Sequence, residues 1–314
     1  MNALHKSLYI LVSLAILGCT SSTNDTSESL DIHTPVNLNE PASPLSDEFG
    51  DYWYQGDAEL TSYTLEQARY GEIHEGEAVL IFVTEDFSKE KHVKLDYPQQ
   101  AGDDKVNILK LNATKNFNTG IYPYSMMSSV FTPIQGSSFP RTLKVTTTSQ
   151  EWCGHTFTQV NLDKNKYDIQ AFSYFESEGD QHMKLEKGML EDEVWTAIRL
   201  DPDLLPTGTV DMIPGTMYQR LGHIDFDVHK VTASLEENEN GLMTYMLSYP
   251  KLSRTLRIHF NKDFPHEIDG WEETTSRRGQ ALTTRATLNK RIMLDYWSKN
   301  GVADLPLRKE LGLD

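Results

Sequence analysis

From residue 49 onward, apolar and polar side chains alternate over most of the chain with a period of two, the pattern of half-buried β-strands. Ala281 to Arg291 shows it well, with Leu282, Ala286, Leu288 and Ile292 on one face and Thr283, Arg285, Thr287 and Asn289 on the other. Tyr167 to Glu176 alternates in the same way with aromatic residues. Val106 to Asn112 and Thr142 to Ser149 have the β-branched and threonine content of strands. Ala78 to Thr84 is an unbroken apolar run too short for a helix, which predicts a central strand covered on both faces. Val210 to Pro214 and Leu221 to Leu235 continue the strand signal, and Leu242 to Tyr249 returns across a polar tip at Glu236–Gly241. Leu256–Phe260 and His266–Trp271 flank a turn. The period changes once: Leu190, Val194, Ala197 and Ile198 fall at helical spacing, and Asp201-Pro202 stops that helix. The expected fold is therefore mainly β. It is a large antiparallel curved sheet or half-barrel, with one covering helix at about residues 185–200 and a partly helical C-terminal tail.

The first residues follow another rule. Lys6 precedes a ten-residue apolar run, Leu8 to Leu17. That is shorter than the roughly 20 residues a spanning helix needs, and it reads as a secretory signal peptide over residues 1–18. Ile16-Leu-Gly-Cys19 resembles the bacterial lipobox, which implies acylation of the Cys19 thiol and cleavage before it. Thr20 follows in place of an acidic retention signal, so the expected location is the bacterial cell envelope, anchored at the outer membrane through Cys19. Residues 19–48 are poor in apolar side chains, and between Cys19 and Ala68 there are ten acids and no Lys or Arg. Such a segment reads as a tether. A single β-rich domain is expected over 49–314, with 49–184 and 205–314 as candidate lobes.

The formal charge of −17 argues against a nucleic-acid partner. Once Cys19 is lipidated, Cys153 has no cysteine to pair with, and a lone thiol in an oxidising compartment is expected to be buried. No Gly-x-Ser-x-Gly elbow, Walker A loop, dinucleotide glycine pattern or His-Glu-x-x-His occurs, and no cofactor is implied.

Three constellations remain as candidates. His223, Asp225, Asp227 and His229 alternate with Ile224, Phe226 and Val228, so a strand there would put two imidazoles and two carboxylates on one face. That is a metal-site candidate, set against an ordinary solvated strand face. Cys153 and His155 would share a strand face as a thiol–imidazole pair, or lie in a sheet with Gly154 marking a bulge or a close approach. Arg277, Arg278, Arg285, Lys290 and Arg291 lie in a window without acids, a candidate strip for an anionic ligand. The acidic runs Glu191–Glu193 and Glu236–Glu237 read as solvated helix and turn residues.

Several blocks resemble a group of bacterial lipoproteins labelled "septum formation inhibitor Maf". They are Tyr52-Trp-Tyr54, Gln67-Ala-Arg-Tyr-Gly71, Glu77 to Phe87, Gly120-Ile-Tyr-Pro-Tyr124, Gln150 to His155 and Leu205-Pro-Thr-Gly208. The Ser-x-Ser-Pro-Arg-Arg motif of true Maf pyrophosphatases is not matched, Phe139-Pro-Arg141 being the nearest segment, so that enzyme is not implied. Tyr70 to Val79 and Leu256 to Asp269 are similar to hairpins of curved-sheet envelope proteins of the lipoprotein-carrier kind. That resemblance implies an open half-barrel with a concave face suited to an acyl chain. The expected function is non-enzymatic binding of an apolar or amphiphilic ligand or of an envelope protein. The alternatives are a metal-dependent hydrolase on the 223–229 segment and a purely structural envelope component.

Overall fold

The computed structural model describes residues 47–134, 141–186, 188–277 and 279–313. The expected signal peptide, Cys19 and nearly all of the expected tether lie outside these residues, as does Arg278.

A short helix α1 (Asp47–Trp53) leads into a long antiparallel run. Its strands are β1 (Ala58–Arg69), β2 (Glu72–Ser88), β3 (Lys105–Thr119), β4 (Tyr122–Pro133), β5 (Lys144–Glu151), β6 (Gly154–Asp163), β7 (Lys166–Phe172) and β8 (Gln181–Glu186). Each pairs with the next. A two-residue strand β9 (Met189–Leu190) then enters helix α2 (Glu191–Leu200). The second wing is β10 (Gly208–Ile213), helix α3 (Thr216–Gly222), β11 (His229–Glu237), β12 (Met243–Tyr249), β13 (Arg254–Phe260), β14 (Ile268–Arg277) and β15 (Gln280–Leu294). The tail ends in α4 (Pro306–Glu310).

Pairing of β1 with β15 joins the wings into one sheet of 15 strands, ordered β8 to β1 and then β15 to β9. All pairs are antiparallel except β9 with β10. The expectation of a mainly β, curved, open antiparallel sheet holds. This order also explains the curvature. The edge strands β8 and β9 are consecutive in the chain, with two residues between Glu186 and Met189. Three Cα steps reach at most about 11 Å, so the sheet must curl until its two edges approach.

The helix that closes the curl lies inside it. Val194, Ala197 and Ile198 are buried in the main core, among inward side chains of both wings. The helix is expected from the 3.6-residue period, but it starts later than residue 185 because Leu185 and Glu186 complete β8. A second apolar cluster sits on the outer face: Leu60, Val79 and Val83 pack under Leu311 and Leu313, with Ile81, Ile292 and Leu294 beside them. The tail is what covers β2 from outside, and the unbroken apolar run of that strand required such a cover.

Two expectations fail here. Leu221 to Leu235 is not one strand: α3 ends at Gly222, His223 takes a left-handed conformation at its cap, and strand structure resumes only at His229. Exposure still alternates from residue 223 to 227, because an extended loop lying on a core also turns every second side chain inward. In β15, the partner of Ser62 is Lys290 while that of Tyr63 is Leu288, so Asn289 is a bulge. One extra residue turns all later side chains to the other face. Leu288 therefore packs in the inner core and Ile292 in the outer cluster, not on one common face. Arg285 and Arg291 are separated in the same way.

Candidate functional site

The inner faces of several strands carry charged residues where the alternation calls for apolar ones. On β3, Lys115 follows Leu111 and Ala113 and precedes Phe117 in the inward register. On β13, Arg254 begins the series Leu256, Ile258 and Phe260, and on β14 Glu273 follows Trp271. Helix α2 lowers its first turn onto these groups. Glu191, Asp192 and Glu193 are all buried, contrary to the expectation of a solvated run. The positive end of the helix dipole, neighbouring cations and backbone N–H groups replace water around them.

Each acid has its own partners. Arg254 donates to Glu191 through both terminal nitrogens, one contact at 2.7 Å, and through Nε to Glu273 at 2.7 Å. Glu191 also accepts from the Tyr249 hydroxyl at 2.5 Å. Asp192 accepts from the Thr216 N–H and hydroxyl, both at 3.0 Å. Glu193 accepts from the Thr142 and Leu190 N–H groups at 2.8 and 3.0 Å. Burial pushes the Asp192 carboxyl up to about 7, with Glu191 adding to the effect against the Thr216 bonds and Arg254. Burial alone would also raise the Glu273 carboxyl, but Arg254 and Lys115 hold it below the ordinary value.

Lys115 differs from its neighbours. It is 9 % exposed, and its ammonium makes no hydrogen bond or ion pair with any of the described residues. Burial lowers its pKa, and Glu273 and Glu191 offset part of that at longer range. The side chain lines a cavity of about 210 Å³ between α2, α3 and the sheet, together with Leu80, Leu111, Val130, Trp195, Leu256 and Trp271. The walls also include the Arg254 cluster and Gln67.

The cavity opens beside the β1–β2 turn, where the exposed Tyr70 and Gly71 line it along with Gln280. Arg69 closes over one side. It donates to the Leu221 carbonyl at the end of α3 and to the Tyr124 hydroxyl at 3.4 Å, and its guanidinium lies 4.4 Å from the Tyr70 ring centre. The Tyr70 and Tyr124 hydroxyls are 2.8 Å apart. A mouth built of one cation and two phenols admits a polar head, while the apolar walls suit a hydrocarbon or ring.

The residues singled out from the sequence lie elsewhere. His223 contacts Glu178 at 2.5 Å and packs edge-on against Phe175. Asp227 accepts from the Val228 N–H at 2.7 Å, and the His229 ring lies against Tyr249. Asp225 is exposed. Among the described residues, no group of three or more His, Cys, Asp or Glu side chains is arranged to hold a metal ion. Cys153 is exposed in the tight turn between β5 and β6, a correction to the expectation of a buried thiol. A hydrogen bond with Glu151 and that carboxylate's charge raise its pKa and so disfavour the thiolate. Gly154 marks a close approach: a Cβ there would lie 2.6 Å from the Tyr174 ring.

In the basic strip, Arg285 is an outward residue paired with Glu272 at 2.9 Å and Glu66 at 3.4 Å. Arg291 points inward at the opposite end of the strand, bonded to Glu267 at 2.9 Å and to the Ile268 carbonyl at 3.0 Å. Lys290 is exposed, and Arg277 pairs by its backbone with Gln280 at the β14–β15 turn. The bulge thus divides the strip between two faces. The cavity residues had a signal that a motif search does not catch: a lone Lys, Arg or Glu occupying the apolar parity of a strand, as at 115, 254 and 273.

Comparison of the chain with protein-family models, with curated proteins and with solved structures finds no match.

Proposed function

We propose that the protein is a non-enzymatic, lipid-anchored envelope protein whose curled sheet holds a small apolar or amphiphilic ligand in the cavity beneath α2. One observation carries the binding half of this reading: a lysine ammonium without a partner among the described residues faces a cavity with apolar walls, open to solvent at one end. A buried unmatched cation is costly, and a cavity-lined one is what a ligand with a polar head would repair. The envelope half rests on the lipobox-like residues ending at Cys19.

Native mass spectrometry of full-length protein purified from membranes tests the binding half. A co-purifying small molecule is expected, lost when Ala113→Phe fills the cavity. A ligand retained in equal amount by that variant would place binding elsewhere. For the anchor, Cys19→Ala is expected to abolish labelling by radioactive palmitate, and undiminished labelling would refute it.

A further inference from the structure

We infer that the ligand is a small monoanionic amphiphile, a monocarboxylic acid with one ring or a medium-length acyl chain, whose carboxylate sits on Lys115. This rests on the reading of the cavity as a ligand site and names the chemistry of its occupant.

The first support is which polar groups remain unmet. The three guanidinium nitrogens of Arg254 are bonded to Glu191 and Glu273. The two Asp192 oxygens accept from Thr216, and Glu191 accepts from Tyr249 as well as Arg254. Acids that are already saturated do not call for a cationic ligand. The lining groups left unmet among the described residues are two donors, the Lys115 ammonium and Arg69 Nε, and one acceptor, Gln67 Oε1. Both unmet cationic groups are donors, so the missing group is chiefly an acceptor, and an ionised one adds to the hydrogen bond a Coulomb attraction for the ammonium that a neutral one lacks.

Charge balance is the second. The lining cations are Arg69, Lys115 and Arg254, and the lining acids are Glu191, Asp192 and Glu273. Burial pushes the Asp192 carboxyl up to about 7, so the lining passes from balanced above neutrality to one surplus positive charge below it. A monoanion cancels that surplus, a dianion overshoots it, and a cation adds to it.

Size is the third. An engineered apolar cavity of about 150 Å³ admits benzene, so a cavity of about 210 Å³ takes one ring or a short chain rather than a whole lipid. Trp195 and Trp271 in its wall, with ring centres 5.2 Å apart, offer flat apolar surface to either.

Calorimetric titration of the full-length protein with octanoate, 1-octanol and octylammonium tests the inference at constant chain length. Octanoate is expected to bind at least about tenfold more tightly than 1-octanol, with octylammonium the weakest. In Lys115→Met, octanoate should fall to the level of 1-octanol while 1-octanol is little changed. Equal binding of octanoate and 1-octanol by the unaltered protein would overturn the headgroup assignment and leave the cavity reading intact. A preference for octanoate that survives Lys115→Met would remove Lys115 from it. Failure of all three, and of benzoate, to bind would overturn both readings. The headgroup comparison uses the unaltered chain, so it stands even if the variant does not fold.

Discussion

The two ends of helix α2 handle buried charge in opposite ways. At its C-terminal end, Arg199 is fully buried and donates to both oxygens of Glu59 at 2.6 Å and to the Pro265 carbonyl at 2.9 Å. Its guanidinium lies 5.0 Å from the Trp53 ring centre and 4.7 Å from that of Phe82. Tyr52 adds its hydroxyl to Glu59, and Thr61 donates to the same carboxylate at 3.3 Å. Burial would raise the Glu59 carboxyl, yet Arg199 holds it below its ordinary value. At the N-terminal end, Arg254 is satisfied in the same fashion, but a second cation, Lys115, is left facing a cavity. One pole is closed by α1 and its aromatic residues; the other is open. The closed pole bonds its cation fully, although the Trp53 Nε1 beside it has no acceptor, whereas the open pole leaves the Lys115 ammonium without an acceptor among the described residues. On the proposed reading, the open pole is where a ligand would complete the structure.

The largest effect is expected at the closed pole. Arg199→Met leaves the buried Glu59 carboxylate with only Arg291, 3.8 Å away, as a neighbouring cation, which should cost about 3 kcal/mol, read by urea denaturation. Adding Glu59→Gln should restore a large part of the loss, and an Arg199→Met protein of unaltered midpoint would show that the pole is not dry.

The sharper test is one of sign. Lys115→Met should stabilise the ligand-free protein by about 1 kcal/mol, since removing an unmatched buried charge relieves desolvation. A loss as large as that of Arg199→Met would mean that Lys115 is a paired structural cation, and the contrast between the poles would collapse.

The next effect is a pH dependence at the open pole. The Asp192 carboxyl titrates near 7 in the folded chain and near 3.9 in an unfolded one. Between those values the native state binds more protons, so this group makes stability fall as pH rises from about 4 to about 7. Glu191 and Arg254 face it, together with Thr216 on α3. Asp192→Asn removes the dependence, so denaturation midpoints at pH 5.5 and 8 should differ more in the unaltered protein than in the variant, with the higher pH less stable by comparison. An identical difference in the two proteins would exclude Asp192 as the titrating group.

The smallest effect belongs to the outer face. Arg285→Ala breaks exposed pairs with Glu272 and Glu66, each of the kind worth about 0–1 kcal/mol. Octanoate affinity should not change. A tenfold loss there would restore the basic strip as a ligand surface.

The candidate site was half legible in the chain. Lys115 stands among Leu109, Leu111, Ala113 and Phe117 on one strand parity, and Arg254 stands with Leu256, Ile258 and Phe260. Those misplaced charges mark inward polar groups without naming their partners. Helix α3 was not legible, because Thr216–Gly222 is seven residues long, under two turns, too short for a 3.6-residue period to show. It is held by packing and by the bonds from Thr216 to Asp192. The acids at 191–193 read as solvated because a helix N-terminus is a common place for exposed carboxylates, and nothing local reveals that Arg254, 63 residues away, lies above them.

The amino-acid sequence alone determined the elements whose cause is local. Period two made the strands, period 3.6 made α2, Asp201-Pro202 ended it, and the apolar run in β2 demanded cover on both faces. What only the tertiary structure decided depends on distance. The link between β8 and β9 forces the edges of the sheet together and puts α2 inside the curl. The bulge at Asn289 sends Arg285 and Arg291 to opposite faces. Pairing leaves Arg254 saturated and Lys115 without a partner among the described residues. Burial and pairing energies depend on what arrives from other strands, and a residue's near neighbours in the chain do not specify it.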